Sequence, residues 1–263
     1  MLQTSLTETK MSNDAALNQA ELSLKNGDPS GAERALTQAW PDIARAPADV
    51  QHAMAMVRLA QGRLPEAETL MRAAASTEPN ALRHQIALGH ILTERENHSG
   101  AIEAYTNATR IDKKWPGLLV VLSQAYFRTE RFADAERAAR EANAAPTSST
   151  WEALSNALRA QGKAQEALTA ADEALKLNRE DPNAAHSKAA ALMELQRPQD
   201  ALAIFEELRG RGIDLPILAM NRGAALEALG RKADAKTAYE EAARRWPNLP
   251  HLQDRVAAAR KRV

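Results

Sequence analysis

The chain has 263 residues and no cysteine, which excludes disulfides, thiol catalysis and cysteine-ligated zinc together. Aromatic residues make up only 4 % of it, so no core can be assembled from aromatic clusters. Net charge is also absent. Thirty-four basic and thirty-four acidic side chains cancel, and no global field draws in nucleic acid or an anionic membrane. No apolar run approaches the ~20 residues of a membrane-spanning helix. The opening MLQTSLTETKMS lacks the apolar stretch of a secretory signal. Together these absences point to a soluble cytoplasmic protein with neither membrane nor nucleic-acid partners. Lysine is scarce beside arginine and alanine is abundant, a composition that suits a GC-rich bacterial genome.

What the chain does have is a period. Ala32, Ala67, Ala101, Ala135, Ala167, Ala201 and Ala235 are spaced by 35, 34, 34, 32, 34 and 34 residues. A repeat of that size means a stack of small units, each burying its apolar face against its neighbours. A frame of 34 slots starts at Asn13, Ala48, Leu82, Pro116, Ser148, Pro182 and Pro216, and the alanines occupy its twentieth slot. The copy from Ser148 is the clearest. Trp151, Leu154, Ala157 and Leu158 recur at helical spacing, Gly162 breaks the run, and Ala164, Ala167, Ala171, Ala174 and Leu175 form one face of a second helix. Each copy is therefore an antiparallel helical hairpin.

Slot eight holds only small residues: Ala20, Ala55, Gly89, Ser123, Ser155, Ala189 and Gly223. Larger side chains fill slot twenty-four, among them Leu36, Met71, Tyr105, Phe205 and Tyr239. Small residues at matching places let the two helices approach closely. Pro116, Pro182, Pro216 and Pro250 each mark a helix start, where a missing N–H costs nothing. Asp181 is placed to cap one of them, and the Ser148/Ser149/Thr150 cluster offers caps for another. Lys188 and Arg222 depart from the pattern, standing in slot seven where Met54, Leu88, Leu122 and Leu154 are apolar.

This lattice resembles the tetratricopeptide repeat family, through Trp151, Leu154 and Ser155, the alanine slot, and Pro79 and Pro247 closing their repeats. The resemblance covers residues 13–247 as seven repeats and implies an all-α solenoid of antiparallel helix pairs in a right-handed superhelix. Residues 1–12 are read as a disordered tail. Residues 248–263 are read as a capping helix, with Leu252, Val256 and Ala257 in its apolar and small slots and Arg260, Lys261 and Arg262 crowding its end. Two junctions, ANAAPTSST after the short fourth copy and LRGRGIDLP after the sixth, are candidate flexible joints.

The resemblance also implies that first helices line a concave groove that holds a peptide or helix. Carried slot by slot, that groove takes His52, Met56, Ile86, His90, Val120, Gln124, Phe127, Arg128, Asn156, Arg159, His186 and Met193. Met56, Ile86, Val120 and Phe127 would supply apolar anchors, with Arg128, Asn156 and Arg159 fixing register. Two known specialisations fail on the residues present. Asn156 lacks the lysine and arginine partners of a carboxylate clamp, and Ala53, Ala87 and Val121 interrupt an asparagine ladder.

Catalysis has no visible machinery: there is no phosphate loop, nucleophile elbow or strand scaffold. His52, His90 and His186 lie on different repeats without the spacing of a metal pair on one helix, so neither metal nor cofactor is expected. Acidic residues such as Glu240 read as solvated faces with partners four residues on, here Arg244. The expectation is a non-catalytic scaffold for a protein or peptide partner, monomeric or weakly self-associating. Alternatives are the recruiting arm of a larger sulfotransferase, glycosyltransferase or 2-oxoglutarate oxygenase, and a self-associating structural module.

Overall fold

The computed structural model describes residues 2–113 and 115–261, with side chains from residue 14 onward. The chain divides into two compact units, Met1–Thr129 and Glu130–Val263. In the first unit, α1 (Leu2–Lys25) pairs with α2 (Pro29–Ala39), α3 (Ala48–Ala60) with α4 (Leu64–Thr77) and α5 (Leu82–Glu94) with α6 (His98–Ile111), and α7 (Pro116–Arg128) packs on α6. In the second unit, α8 (Phe132–Ala142) packs on α9 (Ser148–Ala160). Three hairpins follow: α9 with α10 (Ala164–Leu177), α11 (Pro182–Glu194) with α12 (Pro198–Gly210), and α13 (Pro216–Ala228) with α14 (Lys232–Arg245). The chain closes on α15 (Pro250–Arg260). The expected tail over residues 1–12 lies outside the residues whose side chains are described.

The period is realised as packing. All seven slot-twenty alanines are 0 % exposed, and in a close-packed interior a larger side chain at such a place has to displace its neighbours. The glycines of slot eight mark the tightest places. A Cβ on Gly89 would lie 2.3 Å from the Tyr105 ring, and one on Gly223 would lie 2.3 Å from that of Tyr239. Tyrosine occurs in slot twenty-four only where glycine faces it. Where slot eight is serine, Ser155 spends its buried hydroxyl on the carbonyl of Ala167, the slot-twenty residue of the same hairpin, at 2.8 Å.

A second periodic device lies in the turns. Slot fifteen adopts the left-handed conformation in every repeat, at Gly27, Gly62, Glu96, Glu130, Gly162, Gln196 and Gly230, with φ between 57° and 73°. Three of these are not glycine and carry a steric cost that L-residues seldom accept.

Polar ties also recur from one repeat to the next. The slot-twenty-one carboxylates of Glu33, Glu68 and Glu136 accept from slot fourteen of the following repeat, which is Gln61, Arg95 and Gln161 in turn. The same two places hold Leu168 with Leu195 and Leu202 with Leu229 farther on, apolar at both ends. Lys188 and Arg222 are explained in this way too. Lys188 lies 2.8 Å from Asp172 and Arg222 lies 3.2 Å from Glu206, both carboxylates standing in slot twenty-five of the preceding repeat.

Several local expectations are met. Pro116, Pro182, Pro216 and Pro250 each begin a helix. Asp181 accepts from the backbone N–H of Asn183 at 3.0 Å and of Ala184 at 3.4 Å. The cap of α9 is Thr147, one residue before the expected cluster, in a reciprocal box with Thr150.

Others need correction. At ANAAPTSST the Thr150 hydroxyl donates to Asn143 at 2.6 Å, and α8 packs on α9. The division into compact units falls between Thr129 and Glu130. In α15, Leu252 and Val256 are buried as expected, but Ala257 is exposed and Ala259 takes its place. Slot eight faces the second helix of its own hairpin, and among the described residues α15 has none. Glu240 pairs most closely with Arg260 of α15, at 2.9 Å, and the charge of Arg244 adds to it.

Candidate functional site

Neighbouring first helices touch directly: α1 with α3, α9 with α11, and α11 with α13. Among the described residues no second helix makes comparable contact with the next second helix. In the second unit the first helices thus share one side, as do α1 and α3 in the first, and the family resemblance implies a binding face there.

In the first unit that face is less apolar at its surface than the sequence suggests. Met56 and Ile86 are partly buried and pack against the core cluster containing Ala55, Leu88 and Ile91. Val120 is 7 % exposed and contributes almost no surface. Gln124 and Arg128 are exposed and Phe127 is half-buried. His90 is exposed with its ring edge-on to Tyr105, and the two are joined at 3.1 Å between Tyr105 Oη and His90 Nδ1.

His52 does not stand alone. Its Nδ1 lies 2.9 Å from Nδ1 of His84, which is fully buried, and His84 Nε2 lies 3.1 Å from Glu78 Oε2. Arg83 bridges Asp49 and Glu78 beside the pair. Burial, then the neighbouring His84 and Arg83, push the His52 imidazole down to about 4, so it is neutral at physiological pH. Donor atoms of Asp49, Glu78 and His84 lie within 4.8 Å of one another. Sequence reasoning missed His84 because it sits 32 residues from His52, on the next repeat and in a slot outside the expected groove.

In the second unit the face is polar and knitted across α9, α11 and α13. Asn156 Oδ1 accepts from Ser187 at 3.2 Å, while its amide donates to Glu152 at 3.4 Å. His186 Nε2 lies 2.8 Å from the amide nitrogen of Asn221 and so accepts from it. Arg159 donates to Glu194 at 2.9 Å, yet its Nε is buried without a partner. Burial, then the charge of Asp181, raise the Glu152 carboxyl above its ordinary range. Burial, then Arg159, lower His186. Met193 is half-buried at the end of α11. The structure thus brings Asn156, Arg159 and His186 into one hydrogen-bonding face, together with Glu152, Ser187 and Asn221.

No helix among the described residues is long and apolar enough to cross a membrane. No curated protein matches the chain. Among solved structures it is similar to a tetratricopeptide repeat protein from Parabacteroides merdae, with a TM-score of 0.80 and 15 % identity over 95 % of this chain and 99 % of that one. It is also similar to a chain of the APC/C hetero-tetramer Cut9-Hcn1, with a TM-score of 0.71 and 15 % identity, over 95 % of this chain and 47 % of that one. PilW, a widely conserved type IV pilus biogenesis factor, aligns with a TM-score of 0.68 and 17 % identity over 79 % of this chain and 97 % of its own. The sequence profile of the tetratricopeptide repeat matches residues 52–117, 152–216 and 186–250, more than half of the chain. The chain is a member of the tetratricopeptide repeat family, an all-α solenoid of the kind that generally serves as a protein-interaction scaffold.

Proposed function

We propose that the chain is a non-catalytic scaffold that holds a peptide or helical segment against its first helices. The observation that carries this reading is the polar face of the second unit, where Asn156, Arg159 and His186 meet across α9, α11 and α13 on the inner side of the stack. Interhelical bonds pre-organise these side chains, so a ligand meets them in one geometry and loses less conformational entropy on binding. The Arg159 side chain is 28 % exposed, so part of its guanidinium stays at the surface to meet an acceptor on the ligand. In the first unit, Gln124 and Arg128 supply exposed polar contacts and the outer edges of Met56 and Ile86 supply apolar ones. Support also comes from a neighbour, since the Cut9 structure is that of a hetero-tetramer with Hcn1.

The test places a photo-crosslinking residue at Asn156 and, separately, at Thr169 on the exposed face of α10. The expected result is a partner captured from Asn156 and not from Thr169, and released by Arg159→Ala. Equal capture from both positions, or none lost with Arg159→Ala, would move binding away from this face.

A further inference from the structure

We propose that the cavity lined by α12, α13 and α14 in the second unit binds a small amphipathic monocarboxylate, an apolar chain or ring ending in one carboxylate. The space measures about 360 Å³. Small-molecule sites run from ~300 Å³ upward, and at ~30 Å³ per atom this one takes about a dozen non-hydrogen atoms. Its apolar wall follows from the repeat. Phe205 of slot twenty-four and Leu218 of slot three are buried bulky groups, while Ala238 and Ala242, one turn apart on α14, offer only methyl groups. Ile213 and the half-buried Trp246 add to the apolar lining. An apolar body placed there leaves water without giving up hydrogen bonds. None of these residues belongs to the polar face of Asn156, Arg159 and His186, so the cavity is a separate site.

The charges around the cavity set the head group. Arg209, Arg222, Arg244 and Arg245 all line it. Arg222 is shared by Glu206 at 3.2 Å and Glu241 at 3.5 Å, and Arg209 reaches Glu206 only at 4.0 Å. Arg245 is paired with Asp214. Four guanidinium groups thus face three carboxylates, which leaves a surplus of one positive charge. Arg244 carries it, since among the described residues it makes no hydrogen bond or salt bridge. Glu240 senses the Arg244 charge, but that carboxylate is already bound by Arg260 at 2.9 Å. Arg244 is exposed, so its guanidinium stands at the mouth. A guanidinium takes a carboxylate through two parallel N–H···O bonds, stronger than neutral ones. One surplus charge matches one carboxylate. A phosphate, with nearly two charges, would leave one facing Asp214 and Glu241.

The experiment titrates sodium decanoate into the full chain, read by calorimetry and by tryptophan emission, with decylammonium as the probe of opposite charge. The expected result is one saturable equivalent of decanoate, an emission change that disappears in Trp246→Phe, and no saturable binding of decylammonium. Affinity for decanoate should fall at least about tenfold in Arg244→Gln, an exposed position whose loss leaves the core intact. Ala219→Leu, on a half-buried lining residue, should weaken it similarly by filling the space, with helicity retained by circular dichroism. Arg159→Ala, on the face proposed to hold a peptide, should leave decanoate binding unchanged, so the two readings stand or fall separately. Absence of a saturable equivalent, equal binding of decylammonium, full affinity in Arg244→Gln, or an emission change that survives Trp246→Phe would overturn the proposal.

Discussion

Gly89→Ala provides a quantitative test of the packing lattice. Its new methyl carbon would sit 2.3 Å from Tyr105 Cε1, where ordinary contact begins near 3.4 Å, so one group must move by about an ångström. The ring has little freedom. Tyr105 is 2 % exposed, and its hydroxyl is held by His90 Nδ1 at 3.1 Å and Thr93 Oγ1 at 3.4 Å. Overpacking of this severity costs ~2–3 kcal/mol. Alanine returns ~1 kcal/mol of helix propensity relative to glycine. The net expectation is a loss of ~1–2 kcal/mol at a position where an isolated helix would gain. Tyr105→Met should reverse the sign, because it converts the third repeat to the Ala55/Met71 pairing already present in the second. In that background Gly89→Ala should stabilise by up to ~1 kcal/mol, a coupling of ~2–3 kcal/mol between the two sites. Urea unfolding of the four proteins by circular dichroism measures this, with hydrogen exchange on α5 and α6 as a local readout. A neutral or stabilising Gly89→Ala, or additive effects, would refute the steric reading.

Three further outcomes are expected. Glu96→Gly and Gln196→Gly should each stabilise by ~0.5–1 kcal/mol, because relief of left-handed strain exceeds the entropy cost of glycine. Gly62→Ala, whose Cβ would meet nothing within 4 Å, should cost ~1 kcal/mol from backbone strain alone, and thermal midpoints rank all three. Arg222, with an 11 % exposed side chain between Glu206 and Glu241, should tolerate leucine within ~1 kcal/mol, since leucine suits this slot elsewhere and the freed carboxylates are half exposed. Arg222→Ala should cost ~2 kcal/mol through lost packing, and equal penalties for the two variants in chemical denaturation would count against this account. For Glu136, burial acts to raise the carboxyl, but bonds from Lys163, Arg140 and Gln161 outweigh it and hold it at about 2, below the ordinary 4.5. Its stabilisation is therefore complete above pH 4.5 and is lost as the pH falls towards 2. The stability gap to Glu136→Gln should close over that window, and a gap that does not change with pH would refute the assignment.

Features set by local chemistry could be read directly from the chain. The helix-opening prolines need only a fixed φ and a missing N–H, and the Asp181 cap needs only its neighbours two and three residues on. The alanine period was legible for a different reason: a repeated environment imposes the same size limit seven times, so one column exposes a constraint that a single buried alanine would hide. Residues whose role depends on an adjacent repeat were harder. Lys188 and Arg222 look misplaced in an apolar slot until Asp172 and Glu206 are found across the interface. Val120 has a groove slot, yet it is buried. Ala257 fits the small slot, yet it is exposed and Ala259 is buried instead.

By itself, then, the sequence determined the class, the repeat of about seven helix pairs and which side chains must be small, because helix period, turn chemistry and close packing act over short distances or recur at a constant interval. Only the tertiary structure decided which polar groups meet. The His52–His84 pair and the Asn156–Ser187 and His186–Asn221 bonds all depend on how one repeat is rotated against the next. A change of an ångström in that rotation makes or breaks a hydrogen bond while leaving the apolar period untouched.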